Sequence, residues 1–326
     1  MKLRRVKTEP GFLVQALIGD KWICLNRIPG LEEFTASAHH DLASDILGVL
    51  QLKPDDANEL HNRLQELEET EIAGSKECLP FYPASFRDFM LYEKHVIDST
   101  RGFVKHFMPS MYPITQAAEK LTGKPFKKFK PNALWYTQPI YYLSNHLNFG
   151  VSGDEISWPS YTKALDFELE IGAVLAKPLF NATVDEAHDA IGGFVVLNDC
   201  SARDVQKAEM ESGFGPQKAK HFASTMSAVV VTADEILPYI DDLNASVSIN
   251  GKEVSQCHSK GMHYSLGEAI AFASKDERLH PGELFGTGTL PGGSGMETGH
   301  WLSPGDTLTL SIDRIGTLTN TIQGSV

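Results

Sequence analysis

Asp166-Phe167-Glu168-Leu169-Glu170, followed by the apolar run Ile171-Gly172-Ala173-Val174-Leu175-Ala176, is the stretch that decides how this chain is read. Side chains alternate faces along a strand, so Asp166, Glu168 and Glu170 share one side while Leu165, Phe167, Leu169 and Ile171 take the other. Three carboxylates on one face repel. Lining them up where the chain enters a core is favourable only if positive charge sits between them, and a divalent cation meets that need. The competing reading is an exposed strand whose acidic face is simply solvated.

A second acidic position lies downstream. Gly192-Gly193-Phe194-Val195-Val196-Leu197 reads as a buried strand that ends in Asn198-Asp199. Ser201 is the expected N-cap of a following helix, which would place Asp199 at the strand-to-helix junction where functional groups are usually presented. On that helix Arg203 and Gln206, at i and i+3, share a face. The alternative is a surface helix laced by pairs of Asp204 and Glu209 with Arg203 and Lys207. Upstream, Phe86 to His95 read as helical puts Asp88 and His95 two turns apart on one face, roughly 10 Å along the axis. One could then reach a metal while the other reaches a water beside it.

Together these residues resemble the fumarylacetoacetate hydrolase family. The resemblance runs from about Tyr82 to the C-terminus. It includes the Asp88/His95 spacing, Glu168-x-Glu170, the segment Asn198-Asp199-Cys200-Ser201-Ala202-Arg203-Asp204-Val205-Gln206-Lys207, Gly215-Pro216 leading to Lys220, and the late loop from Gly286 to Gly293 with Glu297 beyond it. It implies a mainly β fold with some α, a mixed β-sandwich roll at residues 79–326 preceded by a small β-rich N-terminal domain at 1–78. It implies a metal held by Asp88, Glu168, Glu170 and Asp199, an all-oxygen set that suits Mg²⁺ or Ca²⁺ rather than zinc. By the same resemblance His95 is the general base, Glu297 the carboxylate that orients it, and Arg203, Gln206 and Lys220 the oxyanion donors. A homodimer is expected.

The implied activity is that of a metal-dependent hydrolase cleaving a carbon–carbon bond in a β-diketo acid such as an acylpyruvate or acylacetoacetate. Water activated by the histidine attacks the carbonyl, and the departing fragment leaves as a metal-held enolate. Decarboxylation, isomerisation or hydration of a keto acid stays open within the family. A catalytically inactive, metal-stabilised binding protein is the alternative of another class, against which the joint presence of His95, Glu297, Arg203, Gln206 and Lys220 argues. Where the family carries tyrosines that contact substrate, this chain has Met90 and Met210. Tyr142, with Tyr141 beside it, and Thr289 are the remaining expected contacts. Val104 stands at the place of a family arginine, with Arg101 and Lys105 nearby. Two thioethers in place of two phenols imply a more apolar pocket, suited to an apolar acyl end rather than to fumarylacetoacetate.

The remaining sequence features narrow the class. The chain has 326 residues and a formal net charge of −13, enough for a full core and unsuited to duplex nucleic acid. No run approaches a membrane span, and Met1-Lys2-Leu3-Arg4-Arg5 lacks the apolar core of a signal peptide, so a cytoplasmic location is expected. Cys24, Cys78, Cys200 and Cys257 are scattered, indicating neither a zinc site nor a disulfide framework. Phe12 to Cys24 alternates around Gly19-Asp20 as a hairpin, and Leu60, Leu64 and Leu67 mark a helix over Asp55 to Glu71. The glycine-dense stretch from Gly282 to Gly299 is expected to be a loop or lid and lacks the order of a phosphate-binding loop. His39, His40, His258, His263 and His300 form no helical metal pair and are read as surface or loop residues.

Overall fold

The computed structural model describes residues 1–9, 11–35, 40–68, 72 and 75–324. Among them, the strands Leu169–Leu175 and Ile191–Asn198 are apolar on both faces apart from Glu170 and Asn198 and pair antiparallel. That composition demands cover on both sides, and they accordingly sit in the middle of the larger sheet. The sheet runs from Lys21–Cys24 through Phe12–Ile18, Lys2–Lys7, Val229–Thr232, Ile191–Asn198, Leu169–Leu175, Leu284–Gly286 and Phe86–Phe89 to Tyr141–Ser144. A second sheet joins Lys252–His258, Asn244–Ile249, Thr307–Ile312, Gly316–Gln323 and Glu155–Ser157. The result is the β-rich architecture of mixed sheets with some helices that the sequence implied.

Strand alternation assigns the two faces of Leu169–Leu175 to different cores. Leu165, Phe167, Leu169, Ile171, Ala173 and Leu175 enter a core shared with the second sheet and the helix Leu266–Ala273. Val174 and Ala176 enter another, which they share with Leu3, Val14, Leu60, Leu64 and Leu284. The N-terminal hairpin forms as expected, with Gly19 in the left-handed conformation at its turn. Its neighbour Lys2–Lys7 pairs with Val229–Thr232, so residues 1–78, which we propose as a unit of the sequence, share a sheet and a core with residues 79–326.

Three local expectations change. Phe86–Phe89 is a buried strand rather than the start of a helix. It pairs parallel with Leu284–Gly286 and antiparallel with Tyr141–Ser144, and the helix begins only at Glu93. A short apolar run has no period of its own, and long-range pairing selected the strand. The stretch Gly282–Gly299 is no lid: its first part is the central strand Leu284–Gly286, and Ser294 caps the short helix Gly295–Thr298. The N-terminal helix spans Pro54–Gln65; residues 69–71 and His39 lie outside the described residues. The four cysteines are free, and among the described residues no helix is long and apolar enough to cross a membrane.

The helix Glu93–Phe107 and the helix Gly295–Thr298 meet at Gly102, where a β-carbon would overlap the carbonyl oxygen of Met296. Glycine lets these two elements approach. Gly102→Ala should therefore push them apart and cost about 1 to 3 kcal/mol of stability. Chemical denaturation measures this, and an unchanged midpoint would contradict it.

Candidate active site

Three strands deliver four carboxylates to one point. Asp88 comes from the strand Phe86–Phe89, opposite Gly286 in the parallel register, and Glu170 from Leu169–Leu175. Glu168 precedes that strand, its backbone N–H donating to Asn198 Oδ1 at 3.0 Å. Asp199 follows the strand Ile191–Asn198, its N–H donating to the Glu168 carbonyl at 3.2 Å. Each residue offers an oxygen, and these four atoms lie within 4.8 Å of one another, all buried. The strand face is thus not a solvated acidic surface. Gly286 makes room for it: a β-carbon there would sit 2.5 Å from Asp88 Oδ1 and 2.7 Å from Glu170 Oε2.

Electrostatics divide the cluster in two. Burial works against the charged form of Glu168, but Arg203, Lys220 and His95 outweigh it and hold its carboxyl well below the usual range. Arg203 Nη2 lies 2.7 Å from Glu168, and Lys220 binds both Glu168 and, at 2.7 Å, Asp199. Glu170 has no cation beside it. Burial first, then Asp88 and Asp199, pushes it well above the usual carboxylate range, and burial followed by Asp199 does the same to Asp88. Both Glu170 oxygens, Asp88 Oδ1 and Asp199 Oδ1 are buried without a hydrogen-bond partner. Buried carboxylate oxygens cost several kcal/mol unless paired or bound to a metal. The four-oxygen donor set fits a hard divalent cation.

Asp166, the first acid of the motif, has a different task. The strand breaks after it, and its oxygens accept from Gly295 N at 2.8 Å, Met296 N at 2.9 Å and Arg203 Nε at 2.8 Å. It therefore ties Arg203 to the helix that carries Glu297. Arg203 in turn donates to Gln206 Oε1 at 3.0 Å. The surface-helix alternative fails, because Arg203 is 2% exposed. Ser201 is not the cap: it lies in the two-residue strand Ser201–Ala202, and Ala202 occupies the N-cap position without a side-chain bond. Glu209 accepts from the backbone of Gln217, Lys218 and Ala219, which holds the turn that presents Lys220.

His95 stands in the first turn of its helix, buried, with Nε2 at 4.0 Å from Glu168 and Nδ1 at 3.0 Å from Glu297 Oε2. Glu297 is itself held by Gly292 N at 3.0 Å and Ser294 Oγ at 2.9 Å. A cavity of about 720 Å³ opens onto Asp88, Glu168, Glu170, His95, Arg203, Gln206 and Lys220, and its lining includes Met90, Tyr141, Tyr142, Met210 and Thr289. Tyr142 is committed to the cluster, its hydroxyl donating to Asp199 Oδ2 at 2.5 Å. Arg101 is engaged with Asp98 and Glu119.

The model of the fumarylacetoacetate hydrolase C-terminal region matches residues 115–323. The chain belongs to the fumarylacetoacetate hydrolase family. Asp88 and His95 precede the matched stretch, and the fold brings them to it. An uncharacterized protein of Staphylococcus saprophyticus is 33% identical over 176 residues, 53% of this chain and 58% of that protein. The chain thus spans less than two thirds of that relative's length. Among solved structures, a fumarylacetoacetate hydrolase from Exiguobacterium antarcticum superimposes with a TM-score of 0.68 at 18% identity, covering 99% of each chain. A 2-hydroxyhepta-2,4-diene-1,7-dioate isomerase from Mycobacterium marinum does so with 0.64 at 19%, covering 99% and 98%. The family fold therefore hosts hydrolases and isomerases alike.

Sequence reading missed what Asp166 does, because its donors come from residues 203, 295 and 296, and it missed the cavity face of the helix Glu93–Phe107. The cluster carries its own test. An acid whose folded pKa is raised holds a proton that the unfolded chain releases, so stability falls as pH climbs above about 4.3 through the raised value. In chelator, the melting temperature should fall as pH rises above about 4.3, and Mg²⁺ should raise it more at the higher pH, where fewer protons compete. Scanning calorimetry checks both, and a melting temperature indifferent to pH and Mg²⁺ would contradict the reading.

Proposed function

We propose that this protein is a divalent-metal-dependent hydrolase that cleaves a carbon–carbon bond in a β-diketo acid of the acylpyruvate or acylacetoacetate type. The observation that carries the reading is one cavity in which a histidine backed by a carboxylate faces a buried, under-neutralised acid cluster, with cationic and amide donors between them. On family grounds we extend the proposal to Mg²⁺ or Ca²⁺ as the metal, to a homodimer and to a cytoplasmic location. Asp88, Glu168, Glu170 and Asp199 would hold the cation, which when bound supplies Lewis acidity toward the dicarbonyl and stabilises enolate charge.

The chain's own residues supply the rest. His95 keeps Nδ1 beside Glu297, which fixes the ring, so Nε2 is the atom that takes the proton of the attacking water. Arg203 and Gln206 flank the place where the carbonyl oxygen gains charge. Gln206 spends its carbonyl on Arg203, leaving its amide N–H groups as donors into the cavity. Lys220 spends two of its three donors on Glu168 and Asp199 and has one left for substrate. Asp166 and Glu209 bind no substrate; they hold Arg203 and the Lys220 turn in place. Such fixed donors are worth most where water is excluded.

His95→Ala should lower turnover of an acylpyruvate by about 10² to 10⁴ while leaving Mg²⁺ affinity within a small factor of wild type. Product analysis with parallel calorimetry makes the measurement. Near-normal turnover in a metal-loaded variant would remove His95 as the base and turn the assignment toward decarboxylation or isomerisation.

A further inference from the structure

The cavity extends beyond the acids and His95. From the helix Glu93–Phe107 it is lined by His95, Val96, Ser99, Thr100 and Phe103, which recur at i, i+1, i+4, i+5 and i+8 and therefore form one face. Phe103 stands eight residues beyond the base, about 12 Å along the helix axis. Met90, Ile140, Met210 and Met296 also line this cavity. We propose that this wall is a binding channel for an extended apolar acyl group, so that the substrate is a β-diketo acid carrying a medium-length alkyl or aryl acyl chain. The inference rests on the hydrolase reading above and adds the identity of the acyl end.

The polar groups along the channel do not favour a second carboxylate. Thr100 Oγ1 donates to the Val96 carbonyl at 2.7 Å, so its proton is spent within the helix. Arg101 is turned to Asp98 and Glu119. Besides the buried Arg203 and Lys220 beside the acids, Lys128 and Lys207 line the cavity, and both are exposed; Lys207 lies 3.4 Å from Glu211, which also lines it. A solvated lysine holds a carboxylate weakly, and Glu211 repels one. Thioethers and aromatic rings, in contrast, mould to an alkyl or aryl chain.

The test uses the full-length, Mg²⁺-loaded protein with acetyl-, butanoyl-, hexanoyl- and octanoylpyruvate, each long member matched by a diacid ending in a carboxylate. kcat/KM should rise about fourfold per added methylene until the channel is full, and each diacid should be at least about tenfold poorer than its apolar match. Phe103→Ala should shrink the ratio of octanoyl to acetyl kcat/KM by about tenfold or more. Rates that are flat with chain length, or a preference for the diacids, would overturn the proposal. If none of the series is cleaved, the hydrolase reading fails by itself. Calorimetric binding of unreactive straight-chain 2-keto acids of the same lengths then decides the channel: affinity rising with length supports it, and affinity independent of length refutes it.

Discussion

Carboxylates that cannot escape one another organise this molecule. Asp88, Glu168, Glu170 and Asp199 are driven together by strand register and buried at the floor of the cavity. Arg203 and Lys220 compensate the Glu168–Asp199 side, and the Glu170–Asp88 side is left uncompensated. A fold whose only task was stability would replace such a cluster with apolar side chains, since unpaired buried charge costs more than it returns. Keeping it is intelligible as preparation for a cation.

The rest of the site follows from holding that cluster rigid. Asp166 fastens Arg203 to the helix that carries Glu297, and Glu297 sits beside His95. Gly286 and Gly102 clear space at two points, one for the acids and one for the helix that bears His95. The donors are therefore set before substrate arrives, which is the condition for electrostatic catalysis. The same helix carries both His95, the base we propose, and the apolar wall, so in the proposed reaction the carbonyl and the acyl end would be registered along one element.

Much of this was legible in the sequence, and what was not has a common cause. Strand alternation alone separated Leu165, Phe167, Leu169 and Ile171 from Glu168 and Glu170, and the structure places all four apolar residues in one core. Asp199 at the end of an apolar strand was equally visible. Asp88 was found in the wrong element, because Phe86–Phe89 is too short for periodicity and owes its form to a parallel partner at residues 284–286. Asp166 was read only as a third carboxylate on the strand's acidic face, since nothing near it in sequence foretells the amide donors of Gly295 and Met296. Glycine density between Gly282 and Gly299 suggested mobility, where it reflects close packing around buried acids. Residues that act through local pattern were readable; those that act through long-range donors were not.

The central claim is that these four oxygens form one divalent cation site, and crystals grown with Mn²⁺ test it most directly through anomalous scattering. The account expects a single strong peak enclosed by Asp88, Glu168, Glu170 and Asp199, with ligand distances near those of a six-coordinate oxygen site. A peak elsewhere, or Mn²⁺-soaked crystals with no peak among these four carboxylates, would contradict it.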